Sequence, residues 1–104
     1  MTKVKVDYNT NQTVLYKIVC RDPKCDYVYI GSTTNVTKRK CYHKNNCNNL
    51  YSNQYNKTLY QKIRDNGGWN NFILLVFEIY PCESKQHLAI RELYHTELQN
   101  EKRY

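Results

Sequence analysis

Two short runs of the chain, Leu15-Tyr16-Lys17-Ile18-Val19 and Tyr27-Val28-Tyr29-Ile30-Gly31, are dense in β-branched and aromatic residues. Between them lies Arg21-Asp22-Pro23-Lys24-Cys25-Asp26, whose Asp and Pro carry turn chemistry. Together they predict a β-hairpin built from Val14 to Cys20 and Tyr27 to Ile30. Apolar side chains occupy both parities of the first strand, Leu15 and Val19 on one and Val14 and Ile18 on the other, so that strand should be central and covered on both faces. After Gly31, the hydroxyls of Ser32-Thr33-Thr34 offer caps for a helix over 35–44, followed by a polar, Asn-rich loop over 45–56. A second helix over about 57–66 gathers Leu59, Tyr60 and Ile63 on one face and stops at Gly67-Gly68. The continuous apolar run Phe72 to Phe77 reads as a buried third strand. From Ser84 to about Asn100 a last helix draws its core contacts from Leu88, Ile90, Leu93, Tyr94 and Leu98.

The expected fold class is α+β, a small central antiparallel three-stranded sheet flanked by helices in the order β-β-α-α-β-α. Residues 1–12 are polar with a Lys3-Val4-Lys5-Val6 alternation and form either a tail or an additional N-terminal edge strand. Residues 13–104 form a single domain, and no internal repeat is visible.

Charge narrows the class of partner. Sixteen Lys and Arg against nine Asp and Glu give a net charge of +7, which favours a polyanion, although plain solubility explains such a balance too. No stretch approaches the ~18 apolar residues of a membrane span, and the first residues lack a secretory h-region. An intracellular protein is expected. The wealth of Asn, Lys and Tyr, all encoded by A/T-rich codons, points to an A/T-rich genome such as that of a virus or phage. Five cysteines form no Cys-x-x-Cys pair and are expected as free thiols. Cys20 and Cys25 could face each other across the hairpin, and Cys41-x-His43-x-x-x-Cys47 could hold zinc, but neither shows the paired ligand spacing of a closed structural site.

Five residues carry candidate chemistry. Tyr16 and Tyr29 lie on the hairpin, where aromatic pairs often serve packing alone. Arg39 and His43 stand one helical turn apart and could reach one phosphate or simply face solvent. Glu92, beside Arg91, could be a surface carboxylate in a local ion pair. Together, however, they supply what metal-assisted phosphodiester cleavage needs: a hard oxygen ligand, a proton acceptor and a cation for the non-bridging oxygens. A phenol has an ordinary pKa near ~10, so as a base it requires a nearby cation or metal.

Val14-Leu15-Tyr16, then Tyr29-Ile30-Gly31 and Ser32, then Arg39 and His43, then Arg91-Glu92-Leu93-Tyr94 resemble the GIY-YIG nuclease superfamily over about Val14 to Leu98. Val14 and Leu15 stand where the family has Gly and Ile, a departure that bears on strand packing. The resemblance implies Tyr16 as general base or water positioner, Tyr29 as its hydrogen-bonding partner, and Arg39 as a phosphate clamp. It further implies His43 in proton transfer or phosphate contact and Glu92 as the ligand of Mg²⁺ or Mn²⁺. DNA is the implied substrate, cut to a 5′-phosphate and a 3′-hydroxyl, with Lys38, Lys40, Lys44, Lys57 and Lys62 holding the backbone. His95, one turn after Glu92, is a second ligand or a bystander. Low sequence specificity is expected unless a recognition partner supplies it, and a double-strand break would need a homodimer or two encounters. The competing readings are a catalytically inactive nucleic-acid-binding module of the same fold and a tyrosine-rich surface for a protein partner.

Overall fold

The computed structural model describes residues 5–101. Three strands, β1 (Val14–Cys20), β2 (Val28–Thr33) and β3 (Phe72–Ile79), form an antiparallel sheet in the order β2-β1-β3. Helices α1 (Val36–Asn48) and α2 (Thr58–Asp65) follow β2, and α3 (Lys85–Glu101) follows β3. Among the described residues no helix is long and apolar enough to cross a membrane. The α+β order and the central place of β1 agree with the sequence reading. Val14, Leu15, Tyr16 and Ile18 are all buried, as both-face cover requires.

Register decides what each face carries. Leu15 pairs with Ser32 and Lys17 with Ile30, and this parity lies under α3. Tyr16 pairs with Gly31 and Ile18 with Tyr29 on the opposite face, where Tyr16, Ile18 and Phe72 join Cys47, Leu59, Tyr60 and Ile63 of α1 and α2 in one core. Burying each of the larger apolar side chains stabilises the fold by roughly 1.5–3 kcal/mol.

Several elements depart from expectation. The helix cap is Asn35, whose side chain accepts from the Lys38 amide, while Thr33 Oγ1 accepts from the Asn35 amide one step earlier. α1 then continues to Asn48, past its expected end, because two of its three inward residues, His43 and Asn46, are polar and with Cys47 alone no apolar period announces it. β3 is an edge strand, not a buried one: Leu75, Val76 and Ile79 are 42, 45 and 58% exposed, and among the described residues only β1 pairs with it. Phe77 is the extra residue of a bulge, since Leu15 pairs with Glu78 and Tyr16 with Val76. Of the residues expected to anchor α3, only Leu88 is buried, whereas Ile90 and Leu93 are 65 and 57% exposed. Lys5 and Val6 form no strand, and Lys3 and Val4 lie outside the described residues.

The segment after α1 is built in by one cation. Arg64 donates from Nη1 to the Cys47 carbonyl at 2.9 Å and from Nη2 to the Tyr55 carbonyl at 2.7 Å, with its guanidinium 3.6 Å from the Tyr55 ring centroid. It ties the end of α1 to the approach to α2. Replacing Arg64 with Ala should cost about 1–3 kcal/mol in urea unfolding and speed hydrogen exchange at the Tyr55 and Lys57 amides. Unchanged exchange at those amides would contradict this role.

Candidate active site

The site begins with a glycine. Gly31 lies directly across from Tyr16, and a Cβ placed there would come within 2.5 Å of the Tyr16 Cζ and Oη. Only a residue without a side chain lets the phenol lie flat across β2. That places Tyr16 Oη 2.6 Å from His43 Nε2, one helical face away on α1. His43 Nδ1 is in turn 2.9 Å from Tyr60 Oη on α2. The imidazole sits among the rings of Tyr16, Tyr29, Tyr42, Tyr60 and Trp69, with centroids 5.7 to 6.5 Å away, and is 2% exposed.

Burial dominates the electrostatics here. It lowers the His43 pKa to about 4, helped by the positive charges of Arg39 and Lys57. It also pushes the Tyr16 phenol well above the ordinary range, with Tyr29 adding to the rise, Arg39 opposing it and Glu92 reinforcing it. Tyr29 is pushed up to about 12, first by burial and then by Glu92. Both phenols and the imidazole are therefore neutral at pH 7, and both phenols feel the charges of Arg39 and Glu92.

Those two charges share a groove. Across the C-terminal end of β2 lies a cavity of about 360 Å³ whose lining includes Ser32, Thr33, Thr34, Arg39, Lys85 and Glu92. It adjoins a second hollow that adds Lys38 and Tyr42. Ser32 Oγ donates to Glu92 Oε1 at 2.7 Å, while Oε2 accepts no hydrogen bond from the described residues. Glu92 is thus not the partner of its neighbour Arg91. Arg91 donates instead through Nε to both oxygens of Glu78 at 3.1 and 3.0 Å, and His95 Nε2 is 2.8 Å from Glu78 Oε2. His95 belongs to that cluster and not to the Glu92 site. Among the described residues no group of three or more His, Cys, Asp or Glu is placed to hold a metal. The donor set at the groove is one oxygen ligand with a free lone-pair side, which fits a hard ion that keeps most of its water. It does not fit zinc, and His43 is committed to the two phenols, which removes it from Cys41 and Cys47. All five cysteines are free thiols.

Of the five candidate residues, Arg39 and Glu92 line the groove. Tyr29 is half-buried, and its hydroxyl makes no hydrogen bond to the described residues, so its contact with Tyr16 is ring packing at 6.5 Å. Tyr16 and His43 lie beneath, 0 and 2% exposed, and neither lines the groove. Lys38, Lys40, Lys44, Lys57 and Lys62 are all exposed on or beside α1 and α2, and only Lys38 lines the hollow beside the groove. Sequence reasoning missed Lys85 as a groove cation and took Tyr60 for a core residue of α2. It also passed over Asn46 and Ser52, which lie behind Tyr60.

Two outcomes follow from this packing. Gly31→Ala should destabilise the fold by about 1–3 kcal/mol, through displacement of the Tyr16 ring from His43, and equal urea midpoints for variant and parent would contradict it. For His43, the folded form binds fewer protons than the unfolded form between about pH 6.5 and about pH 4, so stability should be full above that window and fall as pH drops through it. The loss reaches on the order of 3 kcal/mol. Urea unfolding at pH 7 and pH 4.5 should show a steeper loss for wild type than for His43→Gln, and parallel losses would count against a buried neutral imidazole.

No curated protein and no solved structure matches the chain. A family profile does: that of the GIY-YIG catalytic domain aligns with residues 12–104, which spans both strands of the hairpin, Arg39, His43 and the Glu92 helix. A chain matched over nearly its whole length, with the tyrosine, arginine and glutamate positions gathered around one strand, belongs to the GIY-YIG family of nuclease domains.

Proposed function

We propose that this chain is a divalent-metal-dependent endonuclease that hydrolyses DNA phosphodiester bonds with low intrinsic sequence preference. The observation that carries this reading is the shared groove of Arg39 and Glu92 above the Tyr16 and His43 pair. Glu92, fixed by Ser32 through one oxygen, would hold Mg²⁺ or Mn²⁺ through the other. Such an ion polarises a phosphoryl oxygen and acidifies bound water. Arg39 neutralises charge that builds on the phosphorane-like transition state, with Lys85 close by. Tyr16 positions or deprotonates the attacking water. Its burial makes it a reluctant acid, so the reading requires that bound substrate let one water reach Oη. Tyr29 and His43 hold the phenol in place from two sides.

The exposed Lys38, Lys40, Lys44, Lys57 and Lys62 contact the DNA backbone without reading bases, so affinity should fall steeply with salt. One site cuts one strand. A double-strand cut takes a homodimer or two encounters, and any preference for a sequence comes from a recognition partner.

A specific observation favours a second reading. Tyr16 has no exposed surface, as it would in a nucleic-acid-binding module that has kept the fold and lost the reaction. Supercoiled plasmid with Mg²⁺ separates the two. Wild type should nick, Glu92→Ala should lose at least about 100-fold in rate, and Tyr16→Phe should also be strongly impaired, given that one positioned electrostatic or acid-base group is typically worth that much. Equal nicking by all three preparations would sink the assignment of roles. Salt-sensitive DNA binding without nicking, unaltered by Glu92→Ala, would establish the binding module instead.

A further inference from the structure

Residues 5–11 lie before the stretch that aligns with the family profile and form no strand, yet they are tied down. The Tyr8 carbonyl accepts twice, from Thr13 Oγ1 at 2.7 Å and from the Cys82 amide at 3.0 Å. Thr13 is itself buried, and its carbonyl accepts from the Tyr80 amide at 2.8 Å. The Asp7 and Thr10 side chains shape the turn by accepting from the Asn9 amide at 2.9 Å and the Gln12 amide at 3.1 Å. This anchoring delivers Tyr8 to the wall of the groove of about 360 Å³, which it lines together with Ser32, Arg39, Lys85, Leu88 and Glu92.

The carbonyl of Tyr8 is doubly engaged, whereas its side chain is idle. Its hydroxyl makes no hydrogen bond to the described residues, and its half-buried ring pairs with no other ring or guanidinium among them. A flat apolar face beside two cations matches the chemistry of a nucleotide, with the base on the ring and the phosphate on the charge. A base inside a duplex shows no face to such a ring, because it is stacked on its neighbours; an unpaired base does. The cavity is also of small-molecule size, with room for a nucleotide and not for a double helix. Lys85 and Glu92 stand two turns apart on α3, about 10 Å along its axis, so a phosphate held by Lys85 neighbours the one held at Glu92. Tyr8 is fastened through Cys82 at the Lys85 end of that helix.

We infer that Tyr8 is a substrate-contacting residue that stacks on an unpaired base next to the phosphodiester at Arg39 and Glu92, with Lys85 on the neighbouring phosphate, so that the groove takes DNA at a single-stranded or extruded nucleotide. The inference rests on the reading of the groove as a DNA site, but not on cleavage. Stacking of this kind tolerates any base, in keeping with low sequence preference. It differs from a purely structural role, in which Tyr8 covers Leu88, 4% exposed, and never meets DNA.

The test is binding of a labelled single-stranded oligonucleotide, and of the fully paired duplex of the same sequence, at one salt concentration with EDTA present so that nothing is cut. On the single strand, Tyr8→Phe should stay within about twofold of wild type and Tyr8→Leu should bind at least about fivefold more weakly, while on the duplex all three should agree within about twofold. No loss for Tyr8→Leu on the single strand, an equal loss on both DNAs by a variant with the wild-type urea midpoint, or a loss for Tyr8→Phe as large as that for Tyr8→Leu overturns the inference. A second measurement needs no altered packing: the ring signals of Tyr8 in wild type labelled with ¹³C-tyrosine, identified by their absence in Tyr8→Phe. They should move upfield on saturation with the single strand and stay in place with the duplex. Unmoved ring signals in the single-strand complex overturn the inference even if Tyr8→Leu fails to fold. Tyr8-dependent binding without cleavage in Mg²⁺ or Mn²⁺ would remove the nuclease reading and leave this inference standing. Cleavage with Tyr8 indifferent to the single strand would do the reverse.

Discussion

A single buried hydrogen bond, from the central strand of the sheet to the first helix, organises this domain. Tyr16 Oη and His43 Nε2 lie 2.6 Å apart in an interior where neither finds water, and the rest of the site is arranged to make that contact possible. Gly31 clears the path for the phenol, five aromatic rings enclose the imidazole, and Tyr60 occupies its second nitrogen. The energetic logic is that of any enclosed polar pair. Satisfied, the two groups specify one arrangement of strand and helices; with one partner removed, the other is left in a medium that penalises it by about 1–3 kcal/mol.

The chemistry is divided between two layers. The neutral layer of Tyr16, Tyr29, His43 and Tyr60 lies against the core formed with α1 and α2, and the charged layer of Arg39, Lys85 and Glu92 lines the groove that runs from α1 to α3. The end of β2 joins them, since alternation along one strand sends Gly31 and Thr33 to one face and Ser32 to the other. Ser32 orients Glu92 from the α3 face, while Gly31 seats Tyr16 on the α1 face. Two consecutive residues of one edge strand therefore set the geometry of both layers. The Glu78 cluster with Arg91 and His95 keeps those side chains occupied away from the groove, so Glu92 is left to act alone.

Much of this was legible in the sequence where a side chain's role is local. The hairpin, the central place of β1, the one-turn spacing of Arg39 and His43 and the inward face of α2 all follow from periodicity and turn chemistry over a few residues. What was not legible depends on neighbours far along the chain. A run such as Phe72 to Phe77 is equally apolar in a buried strand and in an edge strand with an uncovered side, and only the topology assigns β3 to the edge. The end of α1 was hidden because its buried stripe is two polar residues and one cysteine. Beside Arg91, Glu92 could equally have been a surface carboxylate in a local ion pair, yet register brings Glu78 to the arginine and Ser32 to the glutamate. Tyr60 looked like one more core residue of α2, since nothing local reveals that its hydroxyl meets an imidazole 17 residues earlier.

The most direct test of this picture is a double-mutant cycle for folding stability, with Tyr16→Phe, His43→Phe and the pair measured by urea unfolding at pH 7. A buried hydrogen bond between the two groups predicts a coupling of at least about 1 kcal/mol, the double variant being less unstable than the sum of the singles. Effects that add to within a few tenths of a kcal/mol would contradict it, since phenol and imidazole would then stabilise the fold independently of one another.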